Sequence, residues 1–403
     1  MNTTSHIRKC LPACVLGLSL VLMPSALLAK PLKVFVLAGQ SNMQGHAHVR
    51  TLEHLGMNPE TKPVLDDILD KQGQPKKVKD AWISYLTNGG TRTGQLSTGF
   101  GANEEKIGPE LTFGIQIQKE LNEPILIIKT AWGGKSINTD FRSPSAGPYE
   151  FKQAQLDRFK QQGKDIARIK ADKVKATGHY YREMIAYVQK ALSEIGSVVP
   201  GYKDSQGYEI AGFVWFQGWN DMVDSGTYPD RDKPGGYSDY SKNLGLFIKD
   251  VRKDLKAPEL PFVIGVLGVN GPTKDYPPNQ RRYMGVHQEF RNGMAATARM
   301  PEFRDTVANV FTENYWDQEL SRLKDRDDQL AQQVRKMVSE KKITAKDRAK
   351  THDKLRAETF SPRERKLLEV GISNGGYHYL GSSRILTGIG IGFAEAMVKL
   401  LEK

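Results

Sequence analysis

Beyond residue 29 the chain has no cysteine, because both of its cysteines, Cys10 and Cys14, fall in the first 29 residues. Removal of that leader would exclude a disulfide, a thiol nucleophile and a thiolate metal site together. Long apolar runs are equally scarce. The one candidate, Leu11–Leu22, is shorter than the roughly 20 residues needed to span a bilayer. Arg8 and Lys9 before it and Ala26-Leu-Leu-Ala29 after it make residues 1–29 read as a cleaved export signal. Histidines are few, eight in all, and neither His46 nor His48 stands at ligand spacing from a carboxylate or a histidine pair, so no metal is assigned. There is no internal repeat, no low-complexity tail and no recognisable nucleic-acid-binding signature. An exported chain without disulfides depends on its core, and residues 30–403 suffice for one sizeable domain with insertions.

Acidic residues are in the minority. The net charge is +12, or about +10 without Arg8 and Lys9. Such a surface suits nucleic acid, anionic membranes or acidic polysaccharides, and export disfavours the first. Much of the lysine and arginine lies among acids in residues 150–178 and 318–368, which read as solvated helical insertions.

Five short apolar runs punctuate the chain: Val34–Ala38, Ile125–Ile128, Gly212–Phe216, Phe262–Leu267 and Val307–Phe311. Helical patterns lie between them. Pro109 and Glu110 open one, with Phe113, Ile117 and Leu121 at four-residue steps. Tyr181, Met184, Ile185, Val188 and Leu192 form a second stripe, and Ile385, Ile389, Phe393 and Met397 a third. This alternation predicts a parallel five-stranded sheet with helices on both faces. Residues 46–108, with "NGGTRTGQ" and "STGFGAN", read as a long binding loop.

Ligands in such sheets sit beyond the carboxyl ends of the strands. The first run ends in "GQSNM", which places Ser41 where a nucleophile would stand, although a serine there also serves as a helix cap or turn residue. The second leads to "TAWGGKSI", where Gly133 or Gly134 could offer a backbone N–H to an oxyanion. The third leads to "WFQGWND", in which Asn220 could donate a side-chain amide or cap an Asx turn, and Gln217 and Trp219 could line a pocket. His378, in "SNGGYHYLGSSR", precedes the last amphipathic helix.

GQSNM, Gly-Gly, Gly-x-Asn-Asp and a late histidine, in that order, resemble the four blocks of the SGNH hydrolases. The chain is most similar to their sialate O-acetylesterase and carbohydrate acetylesterase branch, which "IGPELTFG" and the Gln-Gly of the third block also suggest. The resemblance implies a flavodoxin-like three-layer α/β/α fold and an exported, cofactor-free serine esterase acting on an acylated carbohydrate. It makes Ser41 the nucleophile and His378 the general base. The oxyanion donors would be the N–H of Ser41, that of Gly134 (or Gly133) and the amide of Asn220, with Gln40, Gly133, Gln217 and Trp219 binding substrate.

The chain departs from the family pattern at the orienting acid. Gly375 stands where an aspartate usually precedes the histidine by three, and Trp219 where some members carry a glutamate. Asp221, Glu313 or a backbone carbonyl near Asn374 could substitute. The alternative is a carbohydrate-binding protein on the same fold with little or no hydrolysis. Lys135 and Arg142 could set positive charge beside the cleft and favour an acidic glycan; charge confined to the insertions would leave a neutral one such as acetylated xylan.

Overall fold

The computed structural model describes residues 1–3 and 30–403, so the stretch on which the export-signal reading rests lies outside the described residues. In chain order the strands are β1 (Leu32–Gly39), β2 (Ala47–His48), β3 (Ala81–Thr87), β4 (Gly90–Gln95), β5 (Lys106–Ile107), β6 (Ile125–Ala131), β7 (Tyr208–Phe216), β8 (Phe262–Val266) and β9 (Val307–Phe311). Seven of them form one sheet in the order β4-β3-β6-β1-β7-β8-β9, parallel except for the β3–β4 hairpin. β2 and β5 make a separate antiparallel ladder.

All five apolar runs are strands. The sheet has seven strands rather than five because residues 46–108 are not simply a loop. "AWISYLT" is rich in aromatic and β-branched residues, and Asn88-Gly89 closes the turn to β4, which is a strong hairpin signal. The sheet's central strands β6, β1, β7 and β8 are largely buried on both faces, as their continuous apolar character requires. Along β7, Phe213 and Trp215 meet Phe247 of the helix Ser238–Asp254, with ring centroids 6.0 and 4.4 Å apart. Phe216 turns the other way, onto Phe393 of the helix Ser383–Leu401, at 5.3 Å. That last helix packs beside Glu110–Leu121 as one outer layer, while His179–Ser193 joins Ser238–Asp254 in the other. The result is a three-layer α/β/α sandwich.

The charge-rich stretches are helical. Gln153–Gln161 and Ile166–Ala176 bury no residue, whereas Gln318–Ser339 buries only Leu320, Leu323 and Val334. Among the described residues no helix is long and apolar enough to cross a membrane.

Strand order decides where the site is. β1 lies between β6 and β7, and Gly39 pairs with both Ala131 and Phe216. Three loops therefore leave the sheet side by side. A Cβ at Gly39 would stand 2.2 Å from the Phe216 carbonyl oxygen, so only glycine lets the strands end this close together. Just behind the exits lies a fully buried ion pair. Lys129 Nζ donates to Glu110 Oε2 (2.7 Å), Gln44 O (2.9 Å) and Phe100 O (2.7 Å), using all three ammonium protons. Glu110 Oε1 accepts from Gly108 N at 2.8 Å. Burial pulls the Lys129 ammonium down to about 8, against the upward pull of Glu110. Removing one partner of such a pair leaves an uncompensated buried charge, so Lys129→Met should cost about 3–5 kcal/mol of unfolding free energy in a urea titration. A loss below about 1 kcal/mol would show that the pair does not brace the site.

Candidate active site

Ser41 opens the one-turn helix Ser41–Gln44 at the end of β1 and is 8% exposed. Its neighbour Gln40 is buried and fully occupied. Gln40 Oε1 accepts from Gly218 N (3.0 Å) and Gln217 Nε2 (3.2 Å), and Gln40 Nε2 donates to Asn220 Oδ1 (3.3 Å). With its oxygen engaged, Asn220 keeps its Nδ2 as the end available to donate. Gln217 is also buried and donates to Asp221 Oδ2 (2.6 Å) and Lys135 O (2.9 Å). Gln40 and Gln217 were expected to touch substrate; instead they hold the loops in place, their polar ends spent on protein. Trp219 stays half-exposed, 5.9 Å from the half-exposed ring of Tyr377.

Gly133 and Gly134 form an exposed turn beyond β6. Gly134 has φ +72°, a left-handed conformation that favours glycine, with open space where a Cβ would stand. A Cβ on Gly133 would lie 3.1 Å from Gln44 Oε1, which sets this turn against the Ser41 helix.

His378 comes from the segment Gly376–Gly381, which packs on that same helix. Among the described residues no hydrogen bond joins it to Ser41; such bonds are often long in unliganded sites. Its Nδ1 is 3.1 Å from Asn374 Oδ1, an oxygen that also accepts from Gly375 N at 2.8 Å. The partner of Nδ1 is thus a side-chain amide. The backbone carbonyl near Asn374 does not fill that place, and neither carboxylate does. Asp221 is buried and accepts from Ile137 N (2.9 Å), Asn138 N (3.1 Å), Asn138 Nδ2 (2.9 Å), Gln217 Nε2 and Tyr228 OH (3.1 Å). Burial pushes its carboxyl up to about 6 while these donors oppose the shift. Glu313 is ion-paired with Arg291.

Sequence reasoning gave His46 no role, yet its ring lies flat on that of His378, with centroids 4.0 Å apart and planes 2° apart. Tyr377 meets the His378 ring edge-on at 4.4 Å. Burial, and then the Lys106 ammonium, hold His378 down at about 4. Burial, then His378 and Lys106, lower His46 to about 3.

The charges expected beside the cleft are engaged elsewhere. Lys135 lies over the Tyr180 ring at 4.1 Å and 3.9 Å from Asp140. Arg142 donates to the carbonyls of Asn138, Ala146 and Gly147. A cavity of about 760 Å³ opens between Tyr149, Phe151, Val174 and Tyr181, and no candidate catalytic residue lines it. Among the described residues no group of three or more His, Asp or Glu is arranged to hold a metal ion.

Comparison with solved structures finds weak likenesses, among them the following. A protein from Arabidopsis thaliana is 19% identical, with a TM-score of 0.39, covering 70% of this chain and 86% of that one. A carbohydrate acetylesterase from Xanthomonas citri is 15% identical, with a TM-score of 0.38 and 69% of this chain covered; this chain spans 49% of its length. NanS is 12% identical, with a TM-score of 0.37 and coverage of 72% and 79%. No curated protein matches the chain. The family model described as carbohydrate esterase, sialic acid-specific acetylesterase, matches residues 31–299, a span that holds Ser41, the Gly133-Gly134 turn and Asn220 and stops short of His378. The chain belongs to that carbohydrate esterase family.

Proposed function

We propose that the chain is an exported serine esterase that removes O-acetyl groups from a carbohydrate through an acyl-enzyme. Ser41 Oγ attacks the acetyl carbonyl carbon as His378 Nε2 takes its proton. The oxyanion is met by the N–H of Ser41, an N–H of the Gly133-Gly134 turn and the amide of Asn220. Collapse of the intermediate expels the sugar oxygen, which receives the proton from His378. Water, deprotonated by His378, then attacks the acetyl-enzyme and releases acetate, restoring the Ser41 hydroxyl.

The observation that carries this reading is the Asn374–His378 contact. A base needs a partner for Nδ1–H so that Nε2 stays free, and loss of a competent partner can cost about 10⁴-fold through the wrong tautomer. Asn374 Oδ1 can accept that proton where positions 375 and 219 offer no acid. It orients the ring without adding a negative charge, which weakens the case for a purely binding protein.

The test is a variant series on 4-nitrophenyl acetate. Ser41→Ala and His378→Ala should each lose about 10³-fold or more in kcat. Asn220→Ala should lose about 10²-fold in kcat with KM little changed, because its amide acts on the charged transition state. Near-native turnover in either of the first two would remove that residue from the mechanism.

The pH dependence gives a second check. His378 must be neutral to accept a proton, and its environment holds it at about 4. The acid limb of kcat/KM should therefore fall near pH 4, with activity flat from there through pH 6.5. A limb at the ordinary imidazole position near 6.5 would show that the free enzyme's base is some other group.

A further inference from the structure

We propose that His46 is a positioning residue for the general base, its ring serving as the flat support that fixes the plane of the His378 imidazole. The inference rests on the assignment of His378 as base and adds a residue to that site. His46 follows the Ser41 helix directly and leads into β2, so the segment that carries the nucleophile also carries this support. Its distance from the histidine loop is set by Ser373, whose Oγ accepts from His48 N (3.1 Å) and donates to Gly381 O (2.7 Å). One rigid path therefore joins Ser41, His46 and His378.

A single hydrogen bond to Asn374 leaves the His378 ring some freedom about its Cα–Cβ and Cβ–Cγ bonds. A parallel ring at 4.0 Å removes that freedom, with Tyr377 closing on the same imidazole edge-on. The nitrogens of His46 are not what the contact uses. Its Nδ1 is buried and has no hydrogen-bond partner among the described residues. The flat surface is the functional feature, so another flat ring should replace it.

The charged side chains that lower the pair are cationic, although one of them, Lys129, is itself paired with Glu110. His46 faces His378, Lys106 of β5 and Lys129 of β6, and His378 faces Lys106. Protonating either ring would add a cation to this group, and burial opposes it further. Opening the stack by truncating His46 would let water reach His378 and move it back towards the ordinary imidazole range.

The experiment measures kcat, KM and the acid limb on 4-nitrophenyl acetate for His46→Phe, His46→Leu and His46→Ala. Phenylalanine should keep kcat within about threefold and hold the limb near pH 4. Leucine and alanine should lower kcat about 10-fold or more with KM nearly unchanged, since misplacing a reacting group by about 1 Å can cost 10²-fold. Alanine should also move the limb upward. Leucine keeps bulk without flatness, so the comparison stands even if alanine fails to fold. Equal kcat for phenylalanine and leucine, or wild-type kcat and limb in alanine, would overturn the proposal. His378→Ala separates the two claims: if it is inactive while the His46 variants are all alike, only the stacking role fails, and if it is active, the base assignment itself fails.

Discussion

The site depends on one buried carboxylate. Asp221 stands at the exit of β7 with no solvent exposure and accepts hydrogen bonds from both sides of the cleft. An ionised carboxylate in a core is costly unless its oxygens are filled, and here five donors fill them. Ile137 and Asn138 bring the loop after β6 to it. Gln217 brings the third strand exit and passes the connection to Gln40 at the first. Gln40 in turn fixes which end of the Asn220 amide faces outward. Without Asp221 the three loops would share a sheet edge but no common hub.

The histidine reaches this hub from the far end of the chain and is held differently. Just after His378, Tyr379 and Leu380 sit at φ +53° and +60°. Left-handed backbone at non-glycine residues costs of order 1–3 kcal/mol each. The surrounding structure offsets it through Tyr379, which is buried, accepts from Gly268 N (2.8 Å) and shares a hydrogen bond with Thr312 (2.6 Å). The exits of β8 and β9 thereby anchor the loop that carries His378. All the strand exits from β6 to β9 take part in placing one serine and one histidine.

Much of this was legible in the sequence, for a definite reason. Residues at strand exits are polar stretches following short apolar runs, so GQSNM, TAWGGK and WFQGWND stand out, and the parallel sheet puts them together. The misreadings also have physical causes. The β3–β4 hairpin was hidden because glycine-rich β4 carries little apolar signal, although Asn88-Gly89 marked its turn. Gln40 and Gln217 look like pocket residues in a polar motif; only the three-dimensional network shows their amides already satisfied. Sequence reasoning offers Asp221, Glu313 or a backbone carbonyl near Asn374 as the partner of His378, whereas the contact is made by the Asn374 side-chain amide. His46 could not be found by spacing, because a face-to-face contact between two loops leaves no periodic trace. Lys135 and Arg142 show that a cation beside a motif need not face a ligand, since a ring or a set of carbonyls can occupy it.

Covalent capture of the nucleophile tests the central claim most directly. The protein is incubated with a fluorophosphonate ester at pH 7, and the adduct is located by intact mass and peptide mapping. One phosphonyl group per chain on the peptide containing Ser41, with none in Ser41→Ala and markedly slower labelling in His378→Ala, is the result this account predicts. Absence of labelling in the folded wild-type chain, or labelling that persists in Ser41→Ala, would contradict it.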